Sequence, residues 1–300
     1  MNYLKGGIRN ILQALLGLFP QGTPEWLYRN IFSWGIFRPL TNWALKVIIP
    51  ETIVLPEGVL FLNRKDPVVS GAIALSAYEP NMLKIFRSLL REGMTVLDIG
   101  ANIGLYTLIA AKRVGPTGSV IAFEPVESHA ALIGKTLLNN SLQNVFIRMT
   151  AASDTEGSGT LHLSSENLGK HSLVEQTSRE FTDAITVPTE RVDKVCDELT
   201  LSHIDIVKID VEGFEGHVLR GMKKILERTD APTILIEFSP AALRRAGTDP
   251  EGMLTELIEY GYTLHEISET TKEPVPIEDL HSFVCHFSGN EYTNVFAQRK

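Results

Sequence analysis

The chain has 300 residues, 44% of them hydrophobic, and a formal net charge of −8. That is enough for one large α/β domain or two small ones, and no uncharged apolar run reaches the length of a membrane span. The acidic balance, with no basic patch interleaved with aromatics in the core, argues against nucleic acid as a partner.

Residues 1–50 differ from the rest. They hold Lys5, Arg9, Arg29, Arg38 and Lys46 against the single acid Glu25, so this segment is +4 and residues 51–300 are −12. All three tryptophans, Trp26, Trp34 and Trp43, lie here. Ile8, Ile11, Leu12, Leu15 and Phe19 share one helical face. We expect an N-terminal helical extension over 1–50, followed by a catalytic domain over 51–300. The preferred reading packs the extension across that domain or against a second copy, as a homo-oligomer contact. The alternative is weak peripheral contact with an anionic membrane. The apolar stretch 11–19 has no convincing cleavage site after it, so a secretory leader is not expected. Cys196 and Cys285 lie far apart in apolar surroundings, which predicts reduced structural thiols and a cytoplasmic protein.

Alternation at Ile53, Leu55, Val59 and Phe61 predicts a short β unit over 51–70, with a turn at Asp66-Pro67. A helix is expected from Glu79 or Pro80 to Arg91, ended by Gly93. The central stretch, 94–108, reads MTVLDIGANIGLYTL. An apolar strand runs into Asp98, a tight turn follows over Gly100 to Gly104, and a helix begins. The glycines suit a sharp turn that a ligand approaches closely, and the helix start directs free N–H groups and a positive dipole end there. A dinucleotide fingerprint needs G-x-G-x-x-G. Here Asn102 stands where that pattern wants glycine, and Asp98 would repel a pyrophosphate. The spacing favours a ligand with a cationic end, such as S-adenosylmethionine. Glu124, which ends the apolar run 119–123, is placed to accept both ribose hydroxyls.

Further strands are expected at 144–149, 157–163, 185–188, 204–210, 233–238, 262–267 and 294–298, with helices at 127–139, after Gly213, and at 254–260. Ala152, among the small residues 151–153, leaves room for an adenine ring. The polar loop 164–182 contains His171, and a long polar loop in a compact domain is usually functional or disordered. This alternation predicts a doubly wound α/β sheet with its site at the strands' carboxyl ends.

A group transfer beside such a ligand, to an acceptor that must lose a proton, calls for a general base. Asp210, ending the strand beside the central one, Glu212 in the next turn, and His171 are the candidates. The competing account of Asp210 and Glu212 is capping of the helix after Gly213. Lys208 should share a face with Asp210. His217 reads as a helix-flank residue and Glu215 as a first-turn charge. Asp210, Glu212 and Glu237 are three carboxylates at adjacent strand ends, an oxygen set that suits Mg²⁺ or Ca²⁺.

At Tyr78-Glu79, VLDIGANIGLYT, FEP (123–125), AASD (151–154), the 167–172 loop, VKIDVEGFEGHVLRG (207–221) and ILIEF (234–238), the chain resembles the FkbM family of S-adenosylmethionine-dependent methyltransferases. The resemblance implies a class I, Rossmann-like, seven-stranded fold. It implies O-methylation of a hydroxyl on a sugar, glycan or secondary metabolite. By position it assigns Asp98, Gly100, Asn102, Gly104 and Glu124 to the cofactor, with Ala152 near the adenine. Glu79, Ala101, Thr107, Pro125 and Asp210 fall in the same matching stretches and complete the cofactor set. An oxidoreductase is disfavoured by Asn102. A non-catalytic binding or scaffold module is disfavoured by the Asp210 and Glu212 pair, which pure binding does not need.

Overall fold

The apolar runs of the sequence become the centre of one sheet. In the computed structural model, residues 49–66, 68–164, 171–174, 181–268, 270–271 and 273–299 are described. The N-terminal extension, apart from Ile49 and Pro50, lies outside the described residues. So do positions 165–170 and 175–180 of the polar loop.

The chain opens with a hairpin, β1 (Thr52–Leu55) and β2 (Gly58–Phe61), paired antiparallel. Two helices follow, α1 (Val69–Ala74) and α2 (Pro80–Leu89). Next come β3 (Thr95–Ile99), α3 (Leu105–Val114), β4 (Ser119–Phe123), α4 (Glu127–Asn139) and β5 (Val145–Arg148). A separate three-stranded sheet holds β6 (Ala151–Ser153), β7 (Gly157–Ser164) and β8 (Phe181–Arg191). The remainder is α5 (Val192–Glu198), β9 (Ile206–Ile209), α6 (Glu215–Gly221), α7 (Lys223–Leu226), β10 (Thr233–Phe238), α8 (Pro240–Arg245), α9 (Pro250–Glu259), β11 (Tyr262–Ile267), β12 (Val275–Pro276), α10 (Leu280–His286) and β13 (Thr293–Arg299).

The main sheet runs β12-β11-β13-β10-β9-β3-β4-β5. Strands β10, β9, β3, β4 and β5 are mutually parallel, and β13, β11 and β12 complete an antiparallel edge. The expected seven strands are present. The eighth, β12, is a two-residue addition at the edge. Four helices lie outside the expected set: α1, α5, α8 and α10. Strands expected at 157–163 and 185–188 exist but belong to the smaller sheet.

Both faces of the main sheet are covered, as its continuous apolar strands require. Val96, Val120, Ile206 and Leu235 pack with α2 and α3. Leu97, Ile99, Ile121, Phe123, Val207, Ile209 and Ile236 pack with α5, α6, α7 and α9. Each fully buried large apolar side chain contributes about 1.5–3 kcal/mol relative to exposure. The hairpin is tied to α4 by Asn140, whose Oδ1 accepts from Val59 N–H at 2.8 Å and whose Nδ2 donates to the Val59 carbonyl at 2.7 Å.

The topology locates the site. The chain winds outward from β3 to β4 to β5, then returns to add β9 on the other side of β3. That reversal leaves a crevice at the carboxyl ends of β3 and β9. Ile99 pairs with both Phe123 and Ile209, and Ile236 pairs with Ile209. Glu124, Gly100, Asp210 and Glu237 therefore stand side by side, the first three one residue beyond β4, β3 and β9 and Glu237 near the end of β10.

Among the described residues, no helix is long and apolar enough to cross a membrane. Both cysteines are free. Cys196 is buried as expected, but Cys285 is exposed, because α10 lies on the surface with only Val284 buried.

Candidate active site

The turn after β3 is held by its own hydrogen bonds. Gly100 and Ala101 N–H both donate to the Phe123 carbonyl, at 3.1 and 3.0 Å. Asn102 N–H donates to Glu124 Oε2 at 2.8 Å, and Gly104 N–H to the Ala101 carbonyl at 2.9 Å. These four amides are therefore not waiting for a phosphate, and the free donors expected at the helix start are left to the first turn of α3. Asn102 has φ of +52°, a left-handed conformation that asparagine tolerates better than most residues. Its Oδ1 is buried without a partner. A Cβ on Gly100, whose φ is +79°, would lie 1.8 Å from the Asp210 carbonyl oxygen. A Cβ on Gly104 would lie 2.9 Å from Ile133 of α4. Both glycines thus serve packing between elements, and Gly104 does not line the cavity.

Glu124 is buried and fixed. Its Oε1 accepts from Val126 N–H at 2.9 Å and its Oε2 from Asn102 N–H. Each oxygen keeps a second acceptor site for a ligand hydroxyl. Glu124, Pro125, Ala151 and Ala152 line one cavity of about 390 Å³. Asp210, Glu212 and Glu237 line the same cavity, with Glu79, Gly100, Asn102 and His171. The structure therefore gathers most of the predicted site residues around a single space.

Asp98 and Thr107 are behind it. Both are fully buried, and Thr107 Oγ1 donates to Asp98 Oδ2 at 2.5 Å. The reason is strand alternation: position 98 points to the face that α3 covers, not out of the strand end. Ala101 is also buried and faces only a small adjoining crevice. Burial pushes the Asp98 carboxyl above its usual range, and Lys208 partly offsets this.

Lys208 is buried. Its Nζ donates to the Gly100 carbonyl at 3.1 Å and to Asp210 Oδ2 at 3.2 Å, and lies 5.0 Å from the centre of the Tyr106 ring. Burial alone would lower its pKa, but Asp210, Asp98 and Glu79 outweigh that and hold it above the usual range. Glu79 begins α2 from a left-handed conformation, φ +40°, and accepts from Tyr106 OH at 2.7 Å. Burial, aided by Asp210, pushes its carboxyl up to about 7.

The turn before α6 is braced by the helix's own first residue. Glu215 is fully buried, and its Oε1 accepts from Val211 and Gly213 N–H, both at 3.1 Å. Glu215 is thus in the first turn of α6 as expected, but buried rather than solvated, and Asp210 and Glu212 line the cavity. Burial pushes Glu215 up to about 7. Glu237 is pushed well above its usual range by burial, then by Glu212 and Asp210.

His171 is not placed to act as a base. Its Nδ1 accepts from Ser164 N–H at 3.1 Å, so in the neutral ring Nε2 carries the proton. It stacks on His129 at 5.4 Å between ring centres, and burial with that neighbour lowers its pKa to about 4. His171 is therefore a neutral donor in the cavity wall. His217 uses both ring nitrogens structurally, on Asp154 Oδ2 at 3.0 Å and the Ala246 carbonyl at 3.1 Å.

Tyr78, Phe214, Arg245, Asn290 and Tyr292 also line the cavity and are not among the candidate site residues read from the sequence. The last two follow α10, and only the pairing of β13 with β10 brings them here. Taken together, the spent turn amides, the fixed Glu124, the small residues Ala151 and Ala152 and the carboxylate wall fit an adenosyl group bearing positive charge. They do not fit a pyrophosphate.

The sequence profile described as the methyltransferase FkbM domain matches residues 98–264, more than half of the chain. The chain belongs to the FkbM methyltransferase family. It is a methyltransferase with the class I, Rossmann-like fold, the class that takes its methyl group from S-adenosylmethionine. The matched stretch holds the turn, Glu124, Asp210, Glu212 and Glu237, and leaves out Glu79. The chain is similar to the methyltransferase sdnD of Sordaria araneosa, 28% identical over 177 residues, covering 50% of this chain and 68% of that protein. It is also similar to the 2-O-methyltransferase NoeI of Sinorhizobium fredii, 29% identical over 167 residues, covering 49% and 66%. The matches thus span about two thirds of these relatives' length. Among solved structures, a methyltransferase FkbM from Methylobacillus flagellatus superposes with a TM-score of 0.42 at 13% identity, covering 76% of this chain and 52% of that one.

Proposed function

We propose that this FkbM-family protein O-methylates a hydroxyl on a sugar, glycan or secondary metabolite. One observation carries the reading: Glu124 and the Asp210–Glu212 pair face the same cavity, so a ribose anchor and proton-accepting groups share one space. The similarity to NoeI, a 2-O-methyltransferase, supports oxygen as the acceptor atom.

S-adenosylmethionine, when bound, supplies a methyl group on a sulfonium that is displaced in line. The protein supplies position and charge. Glu124 accepts the ribose hydroxyls, and Ala151 and Ala152 leave space for the adenine. Asn102 offers its unpartnered Oδ1 at the turn. The acceptor hydroxyl stands toward Asp210 and Glu212, and Asp210 takes its proton as the new C–O bond forms. Lys208 aims Asp210 by donating to Oδ2. His171, a neutral donor, orients a ligand oxygen or ring nitrogen. A divalent cation at Asp210, Glu212 and Glu237 would act on the acceptor side of this arrangement.

The test is incubation of the full chain with methyl-labelled S-adenosylmethionine and a metabolite extract, with identification of the labelled product. Label on an oxygen supports the reading. Binding of S-adenosylhomocysteine with no labelled product from any extract would favour a non-catalytic binding module.

A further inference from the structure

Glu237, next to last in β10, lies in the cavity wall, 9% exposed, and its Oε2 has no hydrogen-bond partner. Among the described residues no salt bridge reaches it. The nearby lysine, Lys208, is committed to the Gly100 carbonyl, Asp98 and Asp210. Its charged neighbours are Glu212, Asp210, Glu215 and Glu79, all carboxylates. Burying a carboxylate oxygen without a donor or a counter-charge is costly, and Glu237 Oε2 has neither among the described residues.

The geometry points to what supplies it. Asp210, Glu212 and Glu237 each offer a carboxylate oxygen, and these oxygens lie within 4.8 Å of one another. Lys208 occupies Asp210 Oδ2, which leaves Oδ1 for a ligand. Ligands on opposite sides of Ca²⁺ stand about 4.6–5.2 Å apart, twice its bond length, and about 4.0–4.2 Å apart around Mg²⁺. No two of these oxygens are farther apart than opposite ligands of a Ca²⁺ ion, so small side-chain adjustments bring all three around one cation. Oxygen-only donors exclude a preference for soft metals.

We propose that Asp210, Glu212 and Glu237 bind one divalent cation of the Mg²⁺, Mn²⁺ or Ca²⁺ type, directly facing the methyl acceptor. Three carboxylates do not complete the shell of such an ion, so water and acceptor oxygens fill the rest. The acceptor is then an oxygen chelator: a vicinal diol, or a hydroxyl beside a carbonyl. A cation held there would make the reacting hydroxyl a stronger acid, easing transfer of its proton to Asp210. This deepens the O-methylation reading and rests on it for the placement of the acceptor.

Mn²⁺ titration of the full chain, followed by electron paramagnetic resonance in the presence of S-adenosylhomocysteine, tests the site without turnover. Wild type should bind one Mn²⁺, displaced by Mg²⁺ or Ca²⁺. Glu237→Gln should weaken Mn²⁺ binding by at least about tenfold, as expected for loss of a direct ligand, while S-adenosylhomocysteine affinity is retained. Glu212→Gln, in the turn, provides the same test should Glu237→Gln fail to fold. No Mn²⁺ bound at millimolar concentration by wild type, or equal binding by the Gln variants, overturns the proposal. Failure of S-adenosylhomocysteine to bind overturns the cofactor reading instead.

Discussion

Asp98 and Lys208 are direct cross-strand partners on β3 and β9, with Lys208 Nζ 3.9 Å from Asp98 Oδ1 and 3.2 Å from Asp210 Oδ2. One buried cation thus serves a carboxylate inside the sheet and another at its end. Removing it strands both. Lys208→Met should destabilise the fold by about 3–5 kcal/mol, the usual cost of leaving buried charge unpaired. Urea unfolding measures this, and a loss below about 1 kcal/mol would show that the carboxylates protonate instead.

Glu124→Ala should weaken S-adenosylhomocysteine binding by about 2–4 kcal/mol through lost charge-assisted hydrogen bonds to ribose. Part of the loss comes from the freed Asn102 and Val126 amides, which Glu124→Gln would restore in part. Calorimetry separates the two variants, and unchanged affinity in both would move the ribose elsewhere.

Asp210→Asn should keep most of the S-adenosylhomocysteine affinity and lower turnover about a hundredfold if Asp210 is the base. His171→Gln should fall only a few-fold and leave the pH–rate profile in place, since the imidazole is already neutral with its Nδ1 engaged. A profile between pH 5 and 8 that disappears with His171 would reverse these roles.

Glu215 gives a pH signature in stability. Its carboxyl rises from 4.5 to about 7 on folding. Between those values the folded chain holds a proton that the unfolded chain has released, so stability falls as pH rises through this window. Glu215→Gln removes the ionisation. Relative to wild type, it should gain up to about 3 kcal/mol between pH 5 and pH 8. Denaturation at both pH values checks this, and a pH-independent difference would place the titration elsewhere.

Residues 1–48 lie outside the described residues, and Ile49, where the described chain begins, is buried. The preferred packing of the segment on the domain or on a second copy predicts that the full chain does not float with anionic liposomes. It also predicts that removing residues 1–48 lowers solubility or activity. Flotation by the full chain, lost on truncation while activity persists, would favour membrane contact instead.

The sheet and its crevice were legible because apolar runs, turn glycines and strand-end acids are local signals. Helix α4 has the expected bounds, 127–139, and β10 the expected 233–238. What escaped was tertiary. The short α1, VSGAIA, follows Asp66-Pro67 and reads as loop. Its start is fixed by Asp66, buried, which accepts from Val68, Val69 and Ser70 N–H. Periodicity placed Glu215 correctly in a first helical turn but could not tell that this turn faces inward. His171 looked like a free imidazole because its partner, Ser164 N–H, is set by the return of the chain beside β7. Asn290 and Tyr292 reach the cavity only through strand order, which no window of sequence encodes.

The amides of Gly100, Ala101, Asn102 and Gly104 find their partners within the protein, and Glu124 is clamped by one of them. The ribose anchor is thus assembled before any ligand arrives, and there is little backbone left to immobilise on entry. The entropy of complex formation then falls mainly on the small molecule. Its arrival is a matter of encounter with a finished surface, and its residence time is governed by how fast that surface lets go.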